Sequence, residues 1–330
     1  MTESGPFAIE VRGLAKRFGD VRAVDGVDFA VRRGELFGFL GPNGAGKTTT
    51  INMLTGLARP DAGTIRIAGL DCSKNPKAAQ HLMGIVPDES NLYPELTGLQ
   101  NLAFCGALYG MAKPDRERRA RELLETFGLS QATHRRFAGY SKGMKRKLTI
   151  AAGLIHGPPL LFLDEPTTGI DVASARQIRQ LIRDLNRSGT TIFLTTHYIE
   201  EAERLCDRIA FIVEGKIVRI DTVEELMRRT DGRHVVQFAV SNGAGQACEA
   251  MVAEFPNLHC QAIADGQIRV ESSEPVCVGP LVRLLEDRGA EVSEARKLRP
   301  SLEDVFVEIT GIEAGAMKQE KEGGRKGGGV

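Results

Sequence analysis

The chain has 330 residues, which is enough for a large hydrophobic core and for two domains. It carries 43 basic and 43 acidic residues, and this zero net charge argues against a protein whose main ligand is nucleic acid, because such proteins are usually basic. No run reaches the ~20 apolar residues that a membrane-spanning helix needs. Residues 1–10 also lack a signal-peptide pattern, so we expect a chain that does not itself span a membrane.

Strands and turns come first in the predicted order of elements. Short apolar runs separated by glycine-containing turns predict strands at 9–18, 27–31, 35–40 and 64–67. A helix is predicted at 48–57, because apolar residues recur there at helical spacing. The residues between the strand at 35–40 and this helix therefore form a strand-to-helix turn.

That turn, from Gly41 to Thr48, has the sequence GPNGAGKT and fits the pattern G-x-x-x-x-G-K-[ST] of phosphate-binding loops. Its glycines let the backbone curl round an anion, and the helix N-terminus adds a favourable dipole. Lys47 can reach the β- and γ-phosphates, while the Thr48 hydroxyl can ligate Mg²⁺. We therefore predict that a nucleoside triphosphate is contacted by Gly41, Pro42, Asn43, Gly44, Ala45, Gly46, Lys47, Thr48 and Thr49.

Two carboxylates follow an apolar strand in the middle of the chain. A charged, periodic segment predicts a surface helix at 114–127, and the apolar strand at 160–163 ends in Asp164 and Glu165. Asp164 is a candidate partner for Mg²⁺, and Glu165 is a candidate for the group that orients or activates an attacking water. Taken alone, the pair followed by Pro166 is also compatible with the N-cap of a helix.

Two further candidates lie on either side of that strand in the sequence. His197 follows a predicted helix at 175–186 and a strand at 191–195, where a donor can contact a γ-phosphate, although a lone histidine is more often an ordinary surface residue. Upstream, Ser141 is placed to cap a helix whose N-terminus could hold a phosphate from outside. The alternative for the stretch 140–147 is a basic, solvated helix face.

The alternation of strands and helices predicts how these candidates are arranged. Buried apolar strands that alternate with helices indicate a parallel sheet covered on both faces. Ligands of such sheets bind beyond the carboxyl ends of the strands. The loop 41–48, the pair Asp164 and Glu165, and His197 each fall just beyond such an end. We therefore expect them to meet at one edge of the sheet.

After about residue 230 the pattern becomes that of a small α+β domain. The predicted order is β-α-β-β-α-β, as in a ferredoxin-like unit. Its strands are predicted at 235–240, 259–264, 267–270 and 291–295, and its helices at 245–254, 276–288 and 301–309. The charged, Gly-rich residues 313–330 indicate a disordered tail. The six cysteines of the chain show no C-x-x-C pair, so we expect reduced and mostly buried thiols.

In this order, the motifs resemble the ATP-binding subunit of an ABC transporter over about residues 9–224. Residues 41–48 match its Walker A motif, residues 160–165 its Walker B motif, and His197 its switch histidine. The resemblance implies ATP and Mg²⁺ as cofactors, with Glu165 and His197 as catalytic residues. It further implies a signature that contacts the nucleotide of a second subunit, and a D-loop aspartate. Phe18 stands where the family stacks an aromatic ring on adenine; the alternative for Phe18 is a core position. The residues concerned are Ser141, Lys142, Gly143 and Met144 in the signature and Asp171 in the D-loop.

The resemblance also implies partners and a location. Lys142 and Met144 replace the common Gly and Gln of the signature. This form is similar to that of the exporter branch that includes drug-resistance and sodium-extrusion ATPases. In that branch the permease is usually a separate chain. Because the chain has one phosphate-binding loop, a second ATPase subunit is required, either identical or different. We expect a peripheral protein at the cytoplasmic face of the cell membrane that contacts an integral membrane permease around residues 92–102, and no nucleic acid partner.

One position departs from the family pattern. Residues 84–89, GIVPDE, align with a segment that usually reads Val-Pro-Gln, so Asp88 stands where the family has a glutamine that contacts Mg²⁺ and the attacking water. A carboxylate there can join Thr48 and Asp164 as a ligand of Mg²⁺. It also adds negative charge near the γ-phosphate. The alternative is that Asp88 faces solvent.

These observations predict an α/β fold of the P-loop, ABC ATPase type. We expect a parallel core sheet, an antiparallel N-terminal sheet and a helical subdomain at about 88–158 within a domain at 7–230, followed by a ferredoxin-like α+β domain at 231–312 whose role stays open. The predicted function is ATP hydrolysis that powers a separate membrane permease, as in an exporter. The alternatives are a soluble ABC-type ATPase acting on nucleic acid or ribosomes, and a metabolic P-loop kinase, which does not account for Ser141 and His197 together.

Overall fold

The computed structural model describes residues 5–72, 75–228, 234–241, 244–263, 266–298 and 301–312. These residues divide into two compact units: the second lies within Glu224–Glu308, and the first comprises the described residues up to Val223 together with 309–312. The change in sequence pattern near residue 230 and the expected tail at 313–330 lie outside the described residues. In the part of the chain that is described, no helix has both the length and the apolar character needed to cross a bilayer.

The first unit contains two sheets. Its strands are β1 (Phe7–Phe18), β2 (Val21–Arg32), β3 (Leu36–Leu40), β4 (Ala62–Ile67), β5 (Leu70–Asp71), β6 (Met83–Val86), β7 (Leu160–Asp164), β8 (Thr191–Thr196), β9 (Arg208–Val213) and β10 (Lys216–Thr222). One sheet is antiparallel with the order β2-β1-β4-β5, and the other has the order β10-β9-β3-β8-β7-β6. In the larger sheet every pairing is parallel except that of β10 with β9. The predicted combination of an antiparallel N-terminal sheet and a parallel core sheet is confirmed.

Aromatic side chains join the two sheets into one core. Phe29 of β2 packs against Phe37 of β3 and Phe193 of β8, with ring centroids 5.8 and 5.9 Å apart. Phe39 lies 5.5 Å from Phe193 on the same side. Every residue of β3, β7 and β8 is buried, which explains why these strands are continuous apolar runs rather than alternating ones.

The helices of the first unit cover the larger sheet and form a helical region between β6 and β7. They are α1 (Lys47–Leu54), α2 (Gly98–Leu108), α3 (Lys113–Thr126), α4 (Lys142–Gly153), α5 (Val172–Arg187) and α6 (Ile199–Leu205), with 3₁₀ turns at Pro76–Leu82, Ser130–Ala132 and Phe137–Gly139. Helix α7 (Val223–Arg228) begins at the last residue before the second unit and otherwise belongs to that unit. The sequence patterns predicted α1, α3, α4 and α5. They did not predict α2, which begins with a capping box between Thr97 and Gln100.

The topology brings three chain segments to one edge of the parallel sheet. Leu40 at the end of β3 pairs with Thr196 of β8, and Asp164 at the end of β7 pairs with Thr195 of the same strand. The three strands therefore end side by side, and the segments that follow them are neighbours. This edge is where the sequence pattern predicts that the loop 41–48, Glu165 and His197 meet.

The second unit has the predicted ferredoxin-like order. Its elements are β11 (His234–Val240), α8 (Ala244–Glu254), β12 (His259–Ile263), β13 (Gln267–Ser272), α9 (Val278–Asp287), β14 (Val292–Leu298) and α10 (Leu302–Thr310). The sheet order is β12-β13-β11-β14 with antiparallel pairing throughout. Phe238, Met251, Ile268 and Leu285 are buried in its core, between the sheet and helices α8 and α9.

The cysteines depart from expectation in this second unit. Cys248 on α8 and Cys260 on β12 form a disulfide with their Cα atoms 5.4 Å apart, so the expectation that all thiols are reduced is wrong for this pair. The helix packs on the strand that follows it, and this packing brings the two sulfurs together although the sequence shows no pairing motif. Of the remaining cysteines, Cys72 and Cys206 are buried as expected, whereas Cys277 is exposed.

Candidate nucleotide-binding site

The loop between β3 and α1 needs glycine for steric reasons. Gly44 and Gly46 have φ values of 80° and 102°, in the left-handed region that favours glycine. A Cβ on Gly46 would lie 2.2 Å from the carbonyl oxygen of Ala23, and one on Gly41 would lie 2.1 Å from that of Ile212. The first turn of α1 carries no acidic residue of its own, so the helix itself adds no negative charge where its positive end meets an anion.

Lys47 is buried and folded back over this loop. Its Nζ donates hydrogen bonds to the carbonyl oxygens of Gly41 at 2.7 Å and Pro42 at 3.0 Å. It also lies 3.5 Å from Oε1 of Glu165, with both side chains less than a tenth exposed. The ammonium group is thus held at the mouth of the loop, beside Glu165, the carboxylate predicted to be catalytic.

Asp164 forms an oxygen-rich cluster with two hydroxyl groups. The Thr48 hydroxyl donates to Oδ2 at 3.0 Å, and the Thr195 hydroxyl donates to Oδ1. Burial raises the pKa of Asp164, and the two hydroxyl hydrogen bonds lower it without cancelling the effect. The helix N-cap alternative for the 164–165 pair is not realised, because the next helix begins at Val172 with Asp171 as its cap.

Glu165 occupies a strained backbone position. Its φ of 48° lies in the left-handed region, which is uncommon for a residue with a side chain. Nδ1 of His197 lies 2.8 Å from Oε2 of Glu165, and the Thr168 hydroxyl donates to the same oxygen at 3.0 Å. Burial raises the pKa of Glu165, but the His197 hydrogen bond and the charge of Lys47 outweigh it, so the pKa is lowered overall. His197 is 6% exposed, which excludes the surface-histidine alternative.

Asp88 lies on the wall of the same pocket. The cavity has a volume of about 200 Å³, and its wall brings together the loop, Lys47, and the carboxylates of Asp88 and Glu165. Its lining residues are Val21, Ala23, Asn43, Gly44, Gly46, Lys47, Thr48, Thr49, Asp88 and Glu165. Asp88 is half-buried. It lies just after the end of β6, and Asp164 is the last residue of β7, the strand that pairs with β6.

Phe18 ends β1 and is 54% exposed, so the alternative of a core position is wrong. Its ring lies 5.3 Å from Nζ of Lys16. Val21, which lines the pocket, follows it closely in the sequence and is itself exposed. An exposed aromatic ring beside the pocket is suited to stacking on a base.

The signature residues are not part of this pocket within one chain. Ser141 caps α4, its hydroxyl accepting a hydrogen bond from the Met144 amide at 3.2 Å, and Lys142 is exposed. None of the residues Ser141 to Met144 is among the described residues that line the cavity. A Cβ on Gly143 would lie 2.4 Å from Oγ of Ser174, so only glycine allows α4 to approach the start of α5 this closely.

Two charged residues at the site were missed by sequence reasoning. Arg146 belongs to the stretch that had a solvated basic face as its alternative, yet it is 3% exposed and donates to backbone carbonyls around the site. Glu201 on α6 accepts hydrogen bonds from the hydroxyls of Thr167 at 2.6 Å and Thr196 at 2.8 Å. Burial raises the pKa of Glu201, and the two hydroxyl hydrogen bonds only partly offset that rise. A single sequence carries no local signal for either role, because both depend on contacts between distant segments.

Known proteins resemble this chain along nearly its whole length. Residues 24–168 match the ABC transporter family. The linearmycin resistance ATP-binding protein of Bacillus subtilis is 36% identical over 92% of this chain and 98% of its own length. The chain belongs to the ABC transporter family, as one of its ATP-binding proteins. Two further members are similar to it: a daunorubicin resistance ATP-binding protein of Streptomyces coeruleorubidus, 40% identical over 92% of this chain and 96% of its own, and a Nod factor export ATP-binding protein of Ralstonia nicotianae, 38% identical over 92% and 94%.

Solved structures agree with this assignment over about two thirds of the ABC protein. The structure of an ATP-binding subunit of an ABC transporter has a TM-score of 0.61 and 32% identity, covering 68% of this chain and 93% of that one. A dimeric ATP-binding cassette in a post-hydrolysis state, bound to ADP and phosphate, has a TM-score of 0.60 and 26% identity over 65% and 98%. This chain is therefore an ATPase of the ABC family, and its relatives favour the transporter interpretation over an ATPase acting on nucleic acid or ribosomes.

Proposed function

We propose that this chain is the Mg²⁺-dependent ATPase subunit of an exporter, and that its site residues act as the sequence motifs suggest. The observation that carries the proposal is the meeting of Lys47, Asp164, Glu165 and His197 at one sheet edge, within hydrogen-bonding or ion-pair distance of one another or of the loop. Their donors and acceptors match the phosphates, the metal ion and the water that ATP hydrolysis requires.

The donor set fits a magnesium ion. The Thr48 hydroxyl and the Asp164 carboxylate are hard oxygen donors that already contact each other, and Asp88 offers a third oxygen group on the same pocket. These three residues would hold the ion. Bound there, Mg²⁺ would neutralise charge on the β- and γ-phosphates. Lys47 exchanges its contacts with Gly41 and Pro42 for phosphate oxygens when the nucleotide enters.

Glu165 and His197 form the hydrolytic pair. The lowered pKa keeps Glu165 ionised, so its carboxylate can accept a hydrogen bond from water and orient it towards the γ-phosphate. His197 contacts the same carboxylate and presents its other ring nitrogen as a contact for the γ-phosphate. Hydrolysis therefore depends on a side chain whose position is set by a histidine and a lysine on two other segments.

A second ATPase subunit completes the site. Ser141, Lys142, Gly143 and Met144 lie away from the pocket of their own chain, at the N-terminus of α4. In a head-to-tail dimer, identical or mixed, this N-terminus closes over the nucleotide held by the loop of the partner, with Asp171 near the contact and Phe18 stacked on adenine. ATP binding closes such a dimer and hydrolysis opens it.

The permease contact is proposed on the helical region. Around α2, the described residues expose several large apolar side chains, including Tyr93 (50% exposed), Phe104, Leu108 and Tyr109. Tyr93 and Phe104 pack edge to face with centroids 5.0 Å apart, which forms a compact apolar surface. Exposed apolar patches of this kind mark sites of protein interaction. Binding a separate integral membrane permease there places the ATPase at the cytoplasmic face of the membrane as a peripheral subunit.

Purification from a native membrane tests the transport role. We expect the chain to be recovered in detergent together with an integral membrane protein, and we expect this complex to hydrolyse ATP. Phe104→Asp should leave the ATPase fold intact but release the chain from membranes. Leu57→Asp, which changes another exposed apolar residue away from α2, is the matched control and should stay bound. Recovery of the wild-type chain with ribosomes or nucleic acid, and not with membranes, would contradict the proposal.

Asp88 provides a test of the metal site. Asp88→Gln is expected to raise the Mg²⁺ concentration for half-maximal ATPase activity about fivefold, because losing the attraction of one carboxylate charge for the metal costs ~1 kcal/mol at a solvated site. The measurement is a magnesium titration of the ATPase rate at fixed ATP. Glu89→Gln removes the neighbouring exposed carboxylate and should change nothing. Superimposable titrations for wild type and Asp88→Gln would show that Asp88 does not act on the metal.

A further inference from the structure

The buried guanidinium of Arg146 connects two segments of the site through their backbones. Nε of Arg146 donates to the carbonyl oxygen of Pro166 at 2.9 Å, and Nη2 donates to that of Asp164 at 2.6 Å. Nη1 donates to the carbonyl oxygen of Asp88 at 3.1 Å and to that of Pro87. All of these acceptors are backbone oxygens, so the contacts fix the course of the chain rather than the position of a side chain.

Two of these contacts flank the strained residue. Asp164 and Pro166 are the residues immediately before and after Glu165, whose left-handed φ of 48° persists only where the surroundings hold it. Arg146 holds the carbonyl groups on both sides of that residue with two nitrogens of one planar group. A guanidinium can span two such acceptors in a fixed geometry, whereas a lysine ammonium is a point donor on a flexible stem.

We propose that Arg146 is a positioning residue for hydrolysis. It maintains the backbone conformation that orients the Glu165 carboxylate, and it links the backbone around Glu165 to the segment that contains Asp88. The inference rests on the proposed role of Glu165. It extends that role by assigning the alignment of Glu165 to a residue of α4, the helix that Ser141 caps. A displacement of α4 when the dimer closes would therefore also shift the backbone at Glu165 and Asp88 of the same chain.

The electrostatic surroundings are consistent with a structural cation at this point. Burial lowers the pKa of the Arg146 guanidinium, and the nearby carboxylates of Asp88, Asp164, Glu201 and Glu165 raise it. The cation is therefore desolvated but surrounded by opposite charge. Its removal would leave several carbonyl oxygens around Glu165 without their common donor, and the nearby carboxylates without the positive charge that balances them.

Arg146→Lys is the informative substitution, because it keeps the positive charge but loses the planar guanidinium that donates to several carbonyl groups at once. We expect kcat for ATP hydrolysis to fall about 10- to 100-fold, since a misplacement of about 1 Å in a reacting group has a cost of that order. Binding of a fluorescent ATP analogue should stay within about twofold of wild type, because the loop and Lys47 are untouched. Lys147→Met is the matched control: the neighbouring lysine contacts Gln177 at 2.8 Å on the protein surface, and its loss should change neither quantity.

A double-mutant cycle separates positioning from general damage. If Arg146 acts through Glu165, then Arg146→Lys adds no further loss of rate in a Glu165→Gln background, whereas independent damage would multiply the losses. A rate for Arg146→Lys close to wild type, alongside a slow Glu165→Gln, would overturn the positioning role alone. Full turnover by Glu165→Gln would overturn the proposed site and this inference together. Should Arg146→Lys unfold at the assay temperature, Arg146→Gln repeats the cycle.

Discussion

Glu165→Gln is expected to bind ATP with near wild-type affinity and to hydrolyse it about 10²- to 10⁴-fold more slowly, which is the usual contribution of a general base. The carboxylate is ionised, because its contact with His197 and the charge of Lys47 outweigh the effect of burial on its pKa. An amide has a similar shape but cannot accept the proton of the attacking water. It also leaves the loop 41–48 unchanged, so nucleotide binding should survive.

The same variant should accumulate as an ATP-bound dimer. If binding closes the dimer and hydrolysis opens it, then blocking hydrolysis traps the closed state. Size-exclusion chromatography with and without ATP measures this, and single-turnover kinetics measure the chemical step. Glu200→Gln, which changes an exposed carboxylate on α6, is the control and should behave as wild type. A monomeric Glu165→Gln with full turnover would show that the carboxylate has neither role.

Lys47→Ala is expected to weaken ATP binding roughly 10- to 100-fold, because charge-assisted hydrogen bonds contribute about 1.5–3 kcal/mol each. In the structure Nζ is kept at the mouth of the loop by two backbone carbonyls, and these contacts position it for phosphate oxygens. Its loss also removes a positive charge 3.5 Å from Glu165. The rate of hydrolysis should therefore fall even at saturating ATP.

Equilibrium titration with a fluorescent ATP analogue measures the first effect, and the ATPase rate at high ATP measures the second. Lys216→Ala removes an exposed lysine whose ion pair with Asp25 lies at the surface, where such pairs contribute little, and it should leave both unchanged. Unaltered ATP affinity in Lys47→Ala would mean that the loop binds phosphate through its backbone alone.

Much of the fold could be predicted from the pattern of the sequence. The apolar runs of β3, β7 and β8 indicated a buried parallel sheet, and all three strands are fully buried. The order β-α-β-β-α-β indicated the ferredoxin-like unit. Helix α2 was not predicted, because its apolar residues do not form a single stripe and only part of its surface is buried.

The chemistry of individual side chains was harder to predict. Phe18 could have been a core residue, and His197 could have been a surface residue, until tertiary structure placed the first in solvent and the second against Glu165. The disulfide between Cys248 and Cys260 had no motif at all. In each case the decisive fact is which other segment lies nearby, and a single sequence does not contain it.

The sequence by itself determined the phosphate-binding loop and the two carboxylates at the end of β7, because each depends on the backbone conformation of a few consecutive residues. Glycines at 44 and 46 adopt left-handed angles, and a strand that ends at Asp164, with Glu165 next to it, delivers both carboxylates at one edge. Tertiary structure alone decided how Glu165 is held. Its contacts with His197 and Lys47, and the Arg146 contacts on either side of it, join residues far apart in the chain, where no local propensity acts.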